Sequence, residues 1–216
     1  MMLRKAILLF LAFYTINVAE VWAQKWEVTP FFGYRWGGEL SDGTYGDPDA
    51  FDETLQFDAG PNYGLIVGYF VQPKIQVRAF WDRQNTSLDV IFEQLDKEEK
   101  LGDATIDYLH LGVLMLILEP DIRLQPFFAF SLGGTYISPA GSNIDSEWFT
   151  SAGYAVGVRY FFTDNVGGLI QNRGTSSVIT DSAQRFCDDE TDKCYTLAQD
   201  TWLFQIDISA GLIIAF

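Results

Sequence analysis

Trp202-Leu203-Phe204-Gln205-Ile206-Asp207-Ile208-Ser209-Ala210-Gly211-Leu212-Ile213-Ile214-Ala215-Phe216 closes the chain, and it alternates without a break. Trp202, Phe204, Ile206, Ile208, Ala210, Leu212, Ile214 and Phe216 fall on one face of a strand. Leu203, Gln205, Asp207, Ser209, Gly211, Ile213 and Ala215 fall on the other. A repeat of two is the period of an extended strand, because successive side chains point to opposite sides of a pleated sheet. Three earlier stretches share the pattern. Trp26, Val28, Pro30, Phe32, Tyr34 and Trp36 form one apolar face; Leu55, Phe57, Ala59, Pro61, Tyr63, Leu65, Val67 and Tyr69 a second; Trp148, Thr150, Ala152, Tyr154, Val156, Val158, Tyr160 and Phe162 a third. None of these positions is charged, although 20% of the chain is.

Alternation alone fits any sheet with one buried side. Here bulky aromatics sit near the ends of the apolar faces, as a membrane-interface girdle requires. The opposite faces hold Gly, Ser, Asn, Gln and charges of both signs, which suits a narrow, polar, filled lumen. The strands are long enough for the roughly 9–11 residues that a tilted membrane strand needs. A soluble lipocalin-like barrel would place the apolar side chains inside and charge outside.

The chain has 216 residues and a formal charge of −15, from 14 basic and 29 acidic side chains. That charge argues against nucleic-acid binding, which needs a basic surface. One His and two Cys provide no His/Cys metal cluster, and no cofactor is expected. At the start, Arg4 and Lys5 precede an apolar run, Ala6 to Tyr14, and Val21-Trp22-Ala23 offers a cleavage site. This is the layout of a secretory signal peptide, so residues 1–23 are expected to be removed and 24–216 to form one barrel domain. The most apolar later run, Leu109 to Leu118, is about half the length that a spanning helix needs.

Strands are predicted at 25–38, 54–71, 74–85, 105–118, 123–137, 148–162, 166–176 and 199–216, the seventh alternating least. The connections then alternate strictly between long (39–53, 86–104, 138–147, 177–198) and short (72–73, 119–122, 163–165). This predicts an all-β, eight-stranded, antiparallel up-and-down transmembrane barrel, with short periplasmic turns and both termini periplasmic. Closure leaves no unpaired edge inside hydrocarbon.

A polar residue and a Gly followed by alternating apolar residues and a final Phe, in Gly211, Leu212, Ile214 and Phe216, resembles the assembly signal of bacterial outer-membrane barrels. Thr29-Pro30-Phe31-Phe32-Gly33-Tyr34-Arg35 is similar to their first strand. Asp107-Tyr108-Leu109-His110-Leu111-Gly112 and Gln125-Pro126-Phe127-Phe128-Ala129-Phe130-Ser131-Leu132-Gly133-Gly134 are similar to a central strand pair. The family resembled is that of outer membrane protein A (its transmembrane domain) and outer membrane protein X. The resemblance implies the outer membrane of a Gram-negative bacterium, with lipids, lipopolysaccharide and the barrel assembly machinery as partners and no particular ligand.

The inward charges are expected to be Glu27, Arg35, Asp58, Arg78, Asp82, Arg159 and Asp207, paired because isolated charges there are costly. Simple register puts Arg35 near Asp207, and an Arg35–Asp58–Asp207 cluster is expected to plug the lumen. A gated polar path is the alternative. His110 is the one His, so any lipid-modifying site of Ser-His-Asp type would use it, with Ser131, Thr135 and Asp82 as partners; no nucleophile motif surrounds it. Cys187 and Cys194 suit a loop disulfide, because an exported chain meets an oxidising compartment. Asp42, Asp47, Asp49, Asp52 and Glu53, with Asp188, Asp189, Glu190 and Asp192, make the external loops acidic. They suit either weak divalent-cation bridging to lipopolysaccharide or a solvated, repulsive rim. A non-enzymatic structural or surface-interaction role follows. The alternatives are a porin-like narrow channel for small or apolar solutes, along Leu114, Leu116 and Phe127, and an enzyme using His110.

Overall fold

The computed structural model describes residues 26–41, 53–92, 97–120, 122–140, 146–179, 185–188, 193–196 and 201–216. The strands are β1 (Trp26–Trp36), β2 (Glu39–Ser41), β3 (Glu53–Phe57), β4 (Gly60–Gln72), β5 (Ile75–Phe92) and β6 (Lys97–Leu116). They continue with β7 (Leu124–Ala140), β8 (Glu147–Phe161), β9 (Val166–Ile179), β10 (Arg185–Asp188), β11 (Lys193–Thr196) and β12 (Thr201–Ala215). Eight of them close into an antiparallel barrel in the order β1-β4-β5-β6-β7-β8-β9-β12, with β12 returning to β1. The expected segments 1–23, 42–52 and 189–192 lie outside the described residues.

Register fixes the shape. Trp26 lies opposite Tyr69, Tyr69 opposite Val77, Val77 opposite Val113 and Val113 opposite Phe130. Phe130 lies opposite Tyr154, Tyr154 opposite Gly174, Gly174 opposite Ile206 and Ile206 opposite Trp36. One circuit therefore climbs ten residues along β1, from Trp26 to Trp36. Such a stagger tilts eight strands by about 40° and leaves an interior just wide enough for side chains. Trp26, where the described chain begins, and Phe216 sit at the end with the short turns and exchange backbone hydrogen bonds of 3.2 and 3.0 Å.

The outer wall is apolar. Leu111, Leu132 and Ile170 are each about two-thirds exposed (68%, 71% and 66%), a surface that water would not tolerate as a continuous band. Aromatics ring it at two heights: Trp26, Tyr69, Tyr160, Phe162 and Phe216 near the short turns, and Tyr34, Trp36, Tyr63, Trp81, Tyr136, Trp148 and Trp202 near the long loops.

Three expectations need correction. The lumen is not polar throughout. Phe57, Leu88, Ile106, Ile137, Phe149, Ile179 and Leu203 fill its loop end, and Ile66, Leu114, Leu116, Phe127, Leu169 and Ile213 its short-turn end, with charge confined between and among them. Second, 86–104 is not one long connection. β5 and β6 stay paired from Asn85 opposite Thr105 to Phe92 opposite Lys97, and β3 and β2 extend the ribbon sideways. Third, the strand predicted at 54–71 breaks at Asp58-Ala59. Phe57 lies opposite Leu88, yet Asn62 lies opposite Gln84, a slip of one residue. A one-residue slip exchanges the faces, so Phe57 points inward and is buried instead of facing lipid. The broken ladder is repaired locally: Asp58 N–H donates to Ser87 O (3.0 Å), and Asp58 O accepts from Thr86 Oγ1 (2.7 Å).

Candidate functional site

Alternation drives Arg35 of β1, Asp82 of β5, Arg173 of β9 and Asp207 of β12 onto the inner face at mid-lumen, where all four are at most 2% exposed. Asp207 lies opposite Arg35 on one neighbouring strand and opposite Arg173 on the other. Its Oδ2 accepts from Arg35 Nη2 at 3.2 Å and from Arg173 Nε at 2.9 Å. Both arginines also pair with Oδ2 of Asp82. Asn62 Nδ2 donates to the Asp82 carboxylate at 3.2 Å. A Cβ at Gly33 would lie 2.7 Å from Asn62 Oδ1, so only glycine leaves Asn62 its place.

Aromatic faces line this network. The Arg35 guanidinium carbon is 4.7 Å from the Tyr108 ring centroid, and that of Arg173 is 4.6 Å from Phe80 and 5.2 Å from Phe31. Cation–π contacts and two-by-two ion pairing together make burial of four charges tolerable. Above it, Tyr108 O–H donates to Gln205 Oε1 at 2.6 Å, and Gln205 Nε2 donates to Gly37 O at 3.1 Å. Gly37 adopts φ +82°, a left-handed conformation that glycine takes without strain, and so carries the chain from β1 toward β2.

A second group lies toward the short turns. Glu27 pairs with Arg159, and Gln76 Nε2 donates to its other oxygen at 2.5 Å. The Arg159 guanidinium carbon lies 5.4 and 5.2 Å from the Phe70 and Phe161 ring centroids. Arg78 faces the same region over Phe127, at 5.8 Å. His110 is buried with Nδ1 3.1 Å from Ser131 Oγ and Nε2 2.7 Å from Ser151 Oγ. Both ring nitrogens are therefore spent on hydroxyls, and Asp82 is held by the arginines. Thr135 bonds Ser177 at 2.7 Å and does not join His110. Leu114, Leu116 and Phe127 do face inward, but as packed side chains.

Asp58, expected in the plug, is outside it. The break after β3 turns it out to solvent, where Ser87 Oγ donates to it at 2.6 Å. Arg173 takes a place that the sequence reading missed. The outward positions of β9, with Gly168, Asn172, Gly174 and Ser176, lack the apolar signal that marked the other strands. A lone basic residue between Gln171 and Thr175, opposite Asp207, was the clue. Outside the wall, Arg83 forms a two-point pair with Asp107 (both 2.8 Å), and Trp81 Nε1 donates to the same carboxylate at 3.0 Å. This group sits where the apolar band of β5 and β6 ends. Leu212, Ile214 and Phe216 face outward at the short-turn end, and Gly211 lies opposite Phe31. Cys187 and Cys194 lie opposite each other in the β10–β11 ribbon.

No curated protein matches this sequence significantly. Solved structures share the fold. Neisserial surface protein A matches with a TM-score of 0.57 at 13% identity, over 88% of this chain and 97% of that one. OprG, an outer membrane protein of Pseudomonas aeruginosa, matches with 0.58 at 13%, over 90% and 96%. The outer membrane protein AlkL matches with 0.52 at 17%, over 89% and 90%. A family model described as the outer membrane protein beta-barrel domain matches residues 6–192. With a closed eight-stranded wall, two aromatic girdles and that match, the chain belongs to the outer membrane protein beta-barrel domain family and is a barrel of the bacterial outer membrane.

Proposed function

We propose that this barrel is a non-enzymatic, non-conducting anchor that displays its loop-end ribbons at the cell surface. The observation that carries this is the Arg35–Asp82–Arg173–Asp207 network. It crosses the mid-lumen with every member at most 2% exposed, and packed apolar side chains lie on either side. Water and ions have no wetted route through such a section, since moving these side chains would strip paired charges of their partners. His110 supports the non-enzymatic part: it is enclosed at 1% exposure and bonded to two hydroxyls. The short-turn end, which carries Trp26 and Phe216, is the periplasmic end in this reading. The ribbons built from β2, β3, β5 and β6 and from β10–β11 then face outward, the latter closed by a Cys187–Cys194 disulfide.

The girdle aromatics and the lipid-facing β12 positions Leu212, Ile214 and Phe216 fit lipid, lipopolysaccharide and the barrel assembly machinery as partners. The acidic loop residues suit weak bridging of divalent cations to lipopolysaccharide phosphates. Planar-bilayer recording of the purified protein tests the plug. Silence at moderate voltage is expected, and steady single-channel conductance overturns the reading in favour of a channel.

A further inference from the structure

The arginines buried in the lumen outnumber the carboxylates that pair with them. Among the described residues, Arg35, Arg78, Arg159 and Arg173 are buried on the inner face of the wall, with Glu27, Asp82 and Asp207 as the carboxylates between them. Asp82 and Asp207 are taken by Arg35 and Arg173, and Glu27 by Arg159. Arg78 is left over. It is 4% exposed, and its Nε is enclosed with no acceptor. Its opposite positions on the adjacent strands are Gly68 and Gly112, which offer no polar side chain. The charges that act on it are the guanidiniums of Arg159 and Arg173, both repulsive. Arg159 itself has an enclosed Nη1 without an acceptor.

A guanidinium does not shed its proton in a protein, so Arg78 has no neutral form to retreat to. Buried charges are paired as a rule, and the Phe127 ring face, 5.8 Å away, is a weak substitute for a counter-charge. We propose that the short-turn half of the lumen binds a small inorganic anion between Arg78 and Arg159, held as a structural counter-ion. One negative charge balances these four arginines against Glu27, Asp82 and Asp207, which favours a monovalent ion of the chloride class. A phosphate would satisfy the same two forks by paired N–H···O contacts. The anion is part of the closed lumen, and its presence does not depend on whether the barrel conducts.

The test uses the full-length protein, refolded into detergent micelles with sodium gluconate as the only salt, because gluconate is a much bulkier anion than chloride or phosphate. Titration with chloride is followed by ³⁵Cl line broadening and by the urea unfolding midpoint, and a parallel titration uses inorganic phosphate. A saturable response is expected, weakened about tenfold or more in R78M. Chloride alone acting identifies the monovalent ion, and phosphate alone the oxyanion. Bromide-soaked crystals of the wild-type protein locate the ion without any variant: an anomalous peak between Arg78 and Arg159 is expected. No saturable response to either anion, a response undiminished in a folded R78M protein, or no bromide peak beside Arg78 overturns the proposal.

Discussion

Arg35 and Arg173, on the two strands that flank β12, hold the same pair of carboxylates, Asp82 and Asp207. Every charge in this group therefore has two partners. Removing Arg173 as R173M leaves two buried carboxylates sharing one arginine, and a cost of about 3–5 kcal/mol is expected. The double variant R173M/D207N keeps the neutral Arg35–Asp82 pair, so its cost should fall well short of the sum of the single ones. Urea unfolding midpoints in detergent measure both. Additive costs would show that the four side chains do not act as a unit.

Leu111 is 68% exposed on the outer wall and lies within the apolar band. An arginine there meets hydrocarbon, and L111R should lose about 2–4 kcal/mol when folded in lipid vesicles. Arg83 is already tolerated nearby because Asp107 and the end of the band accommodate it. R83M should change stability by less than about 1 kcal/mol, as expected for a partly exposed pair. Equal losses for the two variants would mean that the band is not where the wall places it.

His110 is a structural bridge between Ser131 and Ser151. Replacing it by Leu should cost about 1–3 kcal/mol from two unmade hydrogen bonds. Assays of lipid-ester hydrolysis should give the same background rate for wild type and H110L. A rate that falls with the substitution would restore a catalytic role.

Cys187 and Cys194 oppose each other across the β10–β11 ribbon. Protein exported to an oxidising compartment should therefore show no titratable thiol before reduction. The ring is small, and closing it is worth about 2–3 kcal/mol of chain entropy, spent on the ribbon. C187S/C194S should make the last loop more sensitive to protease while leaving the unfolding midpoint of the wall unchanged. A full complement of free thiols would remove the bridge.

Phe216 follows the last strand, faces outward and is 62% exposed. Its backbone closes on Trp26, and most of its side chain lies exposed on the outer wall. F216A should leave the purified barrel's unfolding midpoint nearly unchanged and should lower the amount assembled in the outer membrane several-fold. Quantitative immunoblotting of membrane fractions reads this directly, and unchanged levels would deny the residue a part in assembly.

The fold was legible because lipid enforces a strict rule on one face. Trp202 to Phe216 can be read residue by residue, since each outward side chain must be apolar. The lumen follows no such rule. Its side chains are chosen to fill one another's gaps, so Phe57 inside and Asp58 outside leave no pattern in the sequence. The one-residue slip between β3 and β4 is a backbone event, and alternation on either side of it looks continuous. Arg173 was hidden for a related reason: on the lipid face of β9, Gly168, Asn172, Gly174 and Ser176 interrupt Val166, Ile170 and Val178, and Tyr154 covers Gly174 from the neighbouring strand. Asp207 and Arg35 were legible because both strands that carry them alternate cleanly.

Arg35 and Asp207 also stand on the first and last strands, so their pairing waits for the two ends of the chain to meet. A sheet of seven or eight strands still open along that seam exposes Asp207 with Arg173 but without Arg35, and Asp82 with half its partners. Such an intermediate carries unneutralised charge on the surface that must become the inside, and hydrocarbon rejects it. Zippering of β1 onto β12 and entry into lipid are thereby tied into one cooperative event.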